Sequence, residues 1–503
     1  MERLRLFSLM PAIMIQGTAS GVGKSTLVAA LCRILRQDGL RVAPFKAQNM
    51  ANNAHVCLDG GEIGRSTAVQ ARACGLEPAV DMNPVLLKPS TDTAAQVIVM
   101  GRPVKTMSAA EYQDYKPTLL SLIRSCLFRL QRDCDVVVIE GAGSPAEVNL
   151  RDSDIVNMRT AEIADAPVLL AADIDVGGVF AQIVGTMHLL LESERERVRG
   201  FIINKFRGDL GILKPGLEFL ERQTSRPVLG VVPHFRHIRL PEEDAVPAGK
   251  IGGSSPAGKI RIDVVLHPRM SNFTDFDALE AEPDVSLRYL DRPDDRVPDA
   301  LILPGTKSTI ADLRWLKEAG FAAHVTRCRE RGATVVGICG GFQMLGTLIR
   351  DPRHVESPSE AEEGLGLLPS VTVFEEDKIT AQVSGVHLAS GTEVRGYEIH
   401  MGRSDRTTEA PLLRITERSG RAVSEFDGAE AADGLVWGTY LHGVFDNPGF
   451  RRYFVDALRT ARGWPALRTL SPIDAEGEFD KLAAHVRASL DMERIHRIIR
   501  GQG

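Results

Sequence analysis

The chain has 503 residues, 44% hydrophobic and 25% charged, which are the proportions of a folded globular protein and exceed what one hydrophobic core usually serves. Its 60 basic and 66 acidic residues leave a net charge of -6, too weak a field to suggest nucleic acid or a membrane surface as partner, so a compact ligand is expected. Collagen-like repeats and wholesale disorder are excluded.

The opening MERLRLFSLMPAIMIQG is interrupted by Pro11 and runs into a glycine loop, so it reads as a first strand and not as a signal peptide. Apolar runs elsewhere are broken by charges or glycines before they reach bilayer length, and a cytoplasmic location is expected. The cysteines at 32, 57, 74, 126, 134, 328 and 339 lack paired CxxC spacing. They fit neither a disulfide framework nor a zinc site, and most are expected to be small buried hydrophobes.

After IMIQG, a helix from Thr26 carries Leu27, Leu31, Ile34 and Leu35 on one face and ends near Gly39. Between strand and helix lies GTASGVGKS, residues 17–25, the context in which a glycine-rich loop cradles phosphate. Gly17, Gly21 and Gly23 leave backbone N–H groups open to phosphate oxygens, Lys24 reaches the β and γ phosphates, and Ser25 can ligate Mg²⁺. Five residues separate Gly17 from Gly23, and Thr18 stands where a glycine is common. A glycine turn that only caps a helix is the plain alternative.

Next comes APFKAQNMANN, a strand end followed by Lys46, Gln48, Asn49, Asn52 and Asn53. Further buried strands are expected at Val136–Ile139, Val168–Ala171 and Phe201–Ile203. The first of these ends on Glu140 of EGAGSPAE. A lysine can neutralise a transferring phosphate and a carboxylate at a strand terminus can hold Mg²⁺; surface polarity is the plain alternative for both.

Residues 234–258 are rich in Pro, Gly and Ser and form the expected linker between a first domain, 1–233, and a second, 259–455. Strand and helix signals then resume as IRIDVVLH, ALILPG, a helix around Ile310–Lys317, ATVVGI, a helix from Gly341, and LVWGTYLHG. A tail, 456–503, has helical stretches such as LAAHVRASL and no chemical motif.

VVGICGGFQMLG has the form of a nucleophile elbow: a strand, an exposed Cys339, small neighbours, and a helix whose N-terminus favours thiolate. The oxyanion formed on attack would meet backbone N–H groups of Gly340 and Gly305, the latter in the LPGTKS turn. His442 of GTYLHGVFD is the candidate base.

These residues carry a resemblance. The G-x5-GK[ST] loop, the lysine of PFKAQN and the EGAG turn resemble the dethiobiotin synthetase type of ATP-dependent carboxylate-activating domain. That likeness implies Gly17, Thr18, Gly21, Gly23, Lys24 and Ser25 around ATP, Lys46 at the transferring phosphate, Ser25 and Glu140 on Mg²⁺, and Asn204 of IINKF at the adenine.

Cys339 and His442 resemble the pair of the class I glutamine amidotransferases. Many of these have a glutamate two residues after the histidine, where Val444 stands here; Glu398 of RGYEIHMG is then a candidate orienting carboxylate, unless Glu398 and His400 simply line the surface.

Along the chain, KAQNMANN, EIGRSTAVQARA, NPVLLKP, GGVFA, IINKFRGD, SNFTDFDAL, LPGTKST and GYEIHMG together resemble the cobyric acid synthase family. The resemblance implies two doubly wound α/β domains, an N-terminal P-loop NTPase-like domain and a C-terminal class I glutamine amidotransferase-like domain. It further implies ATP, Mg²⁺ and glutamine as co-reactants, and a corrinoid substrate, adenosylcobyrinic acid a,c-diamide, amidated at its b, d, e and g carboxylates. Cobyrinic acid a,c-diamide synthase shares both modules. A P-loop switch ATPase of the partitioning type fused to an inactive amidotransferase-like module is the reading from another class, but Ala19 occupies the place of its extra loop lysine.

Overall fold

Strands Val136–Glu140 and Val168–Asp173 are buried at every residue, as parallel strands covered on both faces must be. The computed structural model describes residues 11–90, 93–235, 238, 251–252, 256–406, 410–470 and 474–502. Most of the linker expected at 234–258 lies outside them. By packing, the chain forms two units: Met1–Ala51 with Ile63–Pro241 and Asp474–Gly503, and Asn52–Glu62 with Glu242–Ile473.

In the first unit, six parallel strands run in the order Val228–Pro233, Val198–Phe206, Val168–Asp173, Ala12–Gly17, Val136–Glu140, Val42–Phe45. The first strand in sequence lies inside the sheet, so the order reverses beside it and the carboxyl ends of Ala12–Gly17 and Val136–Glu140 adjoin, with Ile15 opposite Glu140. That reversal is where open α/β sheets place ligands. Helix Lys24–Gln37 buries Leu27, Leu31, Ile34 and Leu35 against one face, the stripe its sequence predicts.

A four-stranded sheet, Gln48–Met50, Val85–Pro89, Ala94–Val99 and Arg102–Ser108, also belongs to this unit and has no counterpart in the sequence reading. The tail is not a separate appendage either. Helices Ala475–Arg487 and Met492–Ile499 place Leu482, Val486, Ile495 and Ile498 in the same core as Leu31 and Ile34. Arg33 fixes the first of them, reaching Glu476 and Asp480 at 2.7 Å each.

The second unit has a sheet in the order Val285–Leu290, Ile260–Val265, Ala300–Leu303, Thr334–Ile338, Val436–Thr439, all parallel, with Ala429–Glu430 antiparallel at one edge. A second, mostly antiparallel sheet grows from the long hairpin Ser370–His387 and Glu393–Arg406, continued by Leu413–Arg418 and Arg421–Asp427, with Leu348–Arg350 parallel to the first strand of the hairpin. Helix Pro448–Ala461, which crosses the boundary expected between the second domain and the tail, packs Phe450 and Phe454 edge-on against Trp437 of the parallel sheet. All seven cysteines are buried. No described helix is long and apolar enough to cross a membrane.

Candidate functional site

Two polar centres occupy strand ends, one in each unit. In the first, Gly21 and Gly23 have φ of 70° and 93°, values that let the loop turn its amides inward before the helix. Lys24 Nζ donates to the carbonyls of Ala19 at 2.9 Å and Gly143 at 3.1 Å. Thr18 Oγ1 donates to Gln182 Oε1 at 3.0 Å. A Cβ on Gly17 would lie 3.0 Å from Lys24 Nζ and closer still to Val22, so the loop closes only around a bare α-carbon.

Glu140 gathers the rest. Ser25 Oγ and Lys46 Nζ each donate to its Oε1 at 2.8 Å, and Gln70 Nε2 donates to its Oε2. Burial pushes this carboxyl upward, but the Lys46 ammonium and the other two donors outweigh it and hold Glu140 below its ordinary value. A hydroxyl and a carboxylate side by side are the hard oxygen donors that Mg²⁺ takes, one or two at a time, alongside phosphate oxygens.

Asn204 lies at the same loop but is turned toward its backbone: Nδ2 donates to the Val22 carbonyl at 2.8 Å, and a Cβ on Gly23 would collide with it. Lys205 next to it bridges the Gly21 carbonyl at 2.6 Å and Asp173 at 2.8 Å. Of the polar run after Lys46, Gln48 accepts from Tyr112 at 2.7 Å in the first unit. Asn52 and Asn53 part from it and pack with the second unit.

In the second unit, Cys339 sits between strand Thr334–Ile338 and helix Gly340–Leu345 at φ 50°, ψ -108°, a sparsely populated conformation characteristic of a strained elbow. Only glycine fits behind it. A Cβ on Gly341 would strike the Leu303 carbonyl, and one on Gly340 would come within 2.8 Å of Thr306 Cγ2. The turn carrying Gly305 therefore lies directly against the elbow. Gly305 also faces the base, since a Cβ there would be 3.0 Å from His442 Cε1.

His442 is fully buried. Its Nδ1 is 2.7 Å from Asp275 Oδ2, while Asp275 Oδ1 accepts from the Gly443 N–H at 3.0 Å, so one carboxylate fixes both the ring and the backbone that carries it. Burial disfavours the charged ring, but Asp275 and Cys339 outweigh that cost and raise the imidazole to about 10. The ring of Tyr397 stacks on it at 5.2 Å.

The orienting carboxylate is therefore Asp275 and not Glu398. Glu398 is buried but ion-paired with Arg418, and burial together with Asp427 raises it to about 7 against the pull of that arginine. His400 does not line the surface either: it is stacked on Tyr440 at 3.8 Å, and burial lowers it to about 3. Asp275 had a signal in sequence, the acidic SNFTDFDAL segment, but that segment also offers Asp277, and Glu280 follows it directly.

The two centres agree with what the chain is similar to. Residues 13–247 match the CobQ/CobB/MinD/ParA nucleotide binding domain and residues 261–450 the CobB/CobQ-like glutamine amidotransferase domain. Cobyric acid synthase from Dehalococcoides mccartyi (strain CBDB1) is 49% identical, the alignment covering 97% of this chain and 98% of the relative. The cobyric acid synthase from Pelotomaculum thermopropionicum is 52% identical over 97% and 96% of the two chains, and that from Sorangium cellulosum 51% over 97% and 98%.

The chain belongs to the cobyric acid synthase family.

As a member of that family it is a ligase, with a nucleotide-binding domain and a glutamine amidotransferase domain joined in one polypeptide. The parallel sheets described above are the scaffolds of those two domains.

Proposed function

We propose that this cobyric acid synthase family member uses ATP and glutamine to amidate the b, d, e and g carboxylates of adenosylcobyrinic acid a,c-diamide, giving adenosylcobyric acid. The observation that carries the reading is the pairing, within one chain of this family, of a Cys339–His442–Asp275 constellation with a phosphate loop whose Ser25 and Lys46 converge on Glu140.

At the elbow, the Cys339 thiolate attacks the carboxamide carbon of glutamine. The carbonyl oxygen takes up the electron pair and is met by the N–H groups of Gly340 and Gly305. Protonated His442, held by Asp275, gives its proton to the departing nitrogen, so ammonia leaves and a thioester remains; water, deprotonated by the same ring, then releases glutamate. A buried carboxylate on Nδ1 supports this cycle because it leaves Nε2 as the nitrogen that exchanges the proton.

At the loop, the backbone amides around Gly21 and Gly23 and the ammonium of Lys24 hold the nucleotide phosphates, and Lys46 balances charge on the γ-phosphoryl group as it passes to a substrate carboxylate. A carboxylate is a poor electrophile because oxide is its leaving group. Phosphorylated, it loses phosphate instead, and ammonia replaces it to form the amide and ADP is left behind. Ser25 and Glu140 would hold Mg²⁺, which neutralises phosphate charge when bound. Asn204, seated at the loop, is proposed for the adenine side of the nucleotide. A location in the cytoplasm fits the reactants.

The test is purified protein with ATP, Mg²⁺, glutamine and adenosylcobyrinic acid a,c-diamide, following product mass together with glutamate and ADP. Successive replacement of each free carboxyl by an amide, matched by ADP, is expected. Amidation of cobyrinic acid but not of its a,c-diamide would transfer the chain to the diamide synthases. ATP turnover with no corrinoid amidated would overturn the reading.

A further inference from the structure

Residues Asn52–Glu62 belong by sequence to the N-terminal half, yet they pack with the second unit. Their contacts are not scattered. The Ala54 N–H donates to Asn272 Oδ1 at 3.2 Å, and Asn53 Oδ1 accepts from the Phe273 N–H at 3.2 Å, so the segment is tied to the short stretch that carries Asp275. The same Asn272 side chain places Nδ2 3.3 Å from His442 Nε2. It adopts φ 53°, a left-handed conformation that asparagine tolerates better than most residues.

On the other side of the imidazole, Tyr397 stacks on the ring and exchanges backbone hydrogen bonds with His442 at 2.9 and 3.2 Å. His55 meets Tyr397 edge-on at 6.2 Å. Both groups that flank His442 are thus touched by this one segment. Its far end is fastened as well: Gln382 Nε2 donates to the Val56 carbonyl at 2.8 Å, and Lys378 pairs with Glu62 at 2.6 Å, both side chains of the pair being buried.

The ends of the segment lead back to the phosphate centre. Lys46 precedes it and Gln70 follows it, and both donate to Glu140. The chain therefore leaves the carboxylate at the end of the phosphate sheet, touches both neighbours of the glutaminase base, and returns to the same carboxylate.

We propose that Asn52–Glu62 is a strap that positions His442 through Asn272 and Tyr397, and that it conveys the state of the Glu140 centre to glutamine hydrolysis. The inference rests on the reading of Cys339 and His442 as a glutaminase pair. Its physical basis is the sensitivity of proton transfer to placement, where an error near one ångström costs about a hundredfold. Phosphate and metal would compete with Lys46, Ser25 and Gln70 for partners at Glu140, and any exchange there acts on the side chains that flank the two ends of the strap. Asn272 is accordingly a positioning residue.

The experiment uses the full chain and measures glutamate release with and without ATP and Mg²⁺, beside ADP release driven by ammonium chloride with the corrinoid. Two variants loosen the strap at different points. Gln382→Met removes the donor to Val56 at similar volume, and Asn272→Gly removes the side chain while accepting the left-handed backbone.

Wild-type glutamate release is expected to change on adding ATP and Mg²⁺. In both variants, kcat for glutamine hydrolysis should fall about tenfold with KM for glutamine within about twofold, the nucleotide response should flatten, and ammonium-driven ADP release should stay unchanged. Wild-type kcat and nucleotide response in both variants, equal losses with glutamine and ammonium, or a wild type indifferent to nucleotide would each overturn the strap. A Cys339→Ala protein that still hydrolysed glutamine would instead remove the glutaminase reading, and the strap with it, which separates the two failures.

Discussion

At Glu140 the polar groups converge on one carboxylate, whereas at Cys339 they are arranged around a single imidazole, His442. Lys24 bonds two loop carbonyls, and Lys46, Ser25 and Gln70 share a single carboxylate. His442, by contrast, already has Asp275 behind it and the elbow in front. The charges buried at the first centre are satisfied by groups of the chain itself, because an unpaired one costs several kcal/mol. A thiol and imidazole pair can neutralise each other and stand ready. On the proposed reading the first centre works by exchanging partners, and the second is set by its fixed neighbours and by what the strap conveys to them.

The largest effect that would break this contrast is loss of a partner that must be exchanged. Lys24→Ala and Glu140→Gln should abolish synthesis with either glutamine or ammonium salts, read as amide product by mass. Retained ammonium-driven synthesis would refute the roles proposed for them. Cys339→Ala should do the reverse, ending glutamine-driven synthesis while ammonium still serves, and loss of both in a folded protein would remove Cys339 as nucleophile.

Asp275→Asn keeps the shape of the second centre but removes the charge that raises His442. Glutaminase kcat should fall about 10²–10⁴-fold, with ammonium-driven synthesis unaffected. The same charge predicts a pH dependence. Because the folded-state value of His442 is raised, its stabilising contribution is complete below the ordinary imidazole value of about 6.5 and declines as pH rises through about 10. Unfolding free energy should therefore lose this contribution between those limits in the parent protein. In Asp275→Asn the corresponding decline should shrink; an unchanged profile would show that Asp275 does not set the imidazole.

Leu482 is fully buried in the core beneath helix Lys24–Gln37. Leu482→Ala should destabilise the first unit by roughly 2–5 kcal/mol, lowering its thermal midpoint while glutamate release persists. The smallest effect is expected at Glu398. Glu398→Gln weakens an ion pair with Arg418 that is partly open to solvent, so about 1 kcal/mol or less of stability should be lost. Glutaminase pH dependence should not move, and a shift would return Glu398 to the site.

Much of this was legible in the sequence because local chemistry demanded particular residues. Gly17, Gly21, Gly23 and Lys24 announce a phosphate loop, and Gly340 and Gly341 mark an elbow, since backbone approaches of this kind tolerate no side chain. His442 followed from the need for a base. Asp275 did not, because it lies 167 positions from the ring it orients and no spacing rule links them. Glu398 is one candidate orienting carboxylate in the sequence, but the fold pairs it with Arg418. The division inside NMANN escaped notice for a similar reason: Asn49 and Asn52 look alike in a polar run, and only packing assigns them to different units. The tail helices lacked chemistry, so nothing but their apolar faces hinted that they complete the first core.

That last feature bears on how the protein is made. Helix Lys24–Gln37 is synthesised more than four hundred residues before its partner Ala475–Arg487. At roughly 5–20 residues per second, the side of it that packs on this partner waits on the order of half a minute or more for cover. The second unit, translated in between, has most of its own core available first. Birth order thus differs from folding order in the first unit, whose core is closed only once Ala475–Arg487 has been made.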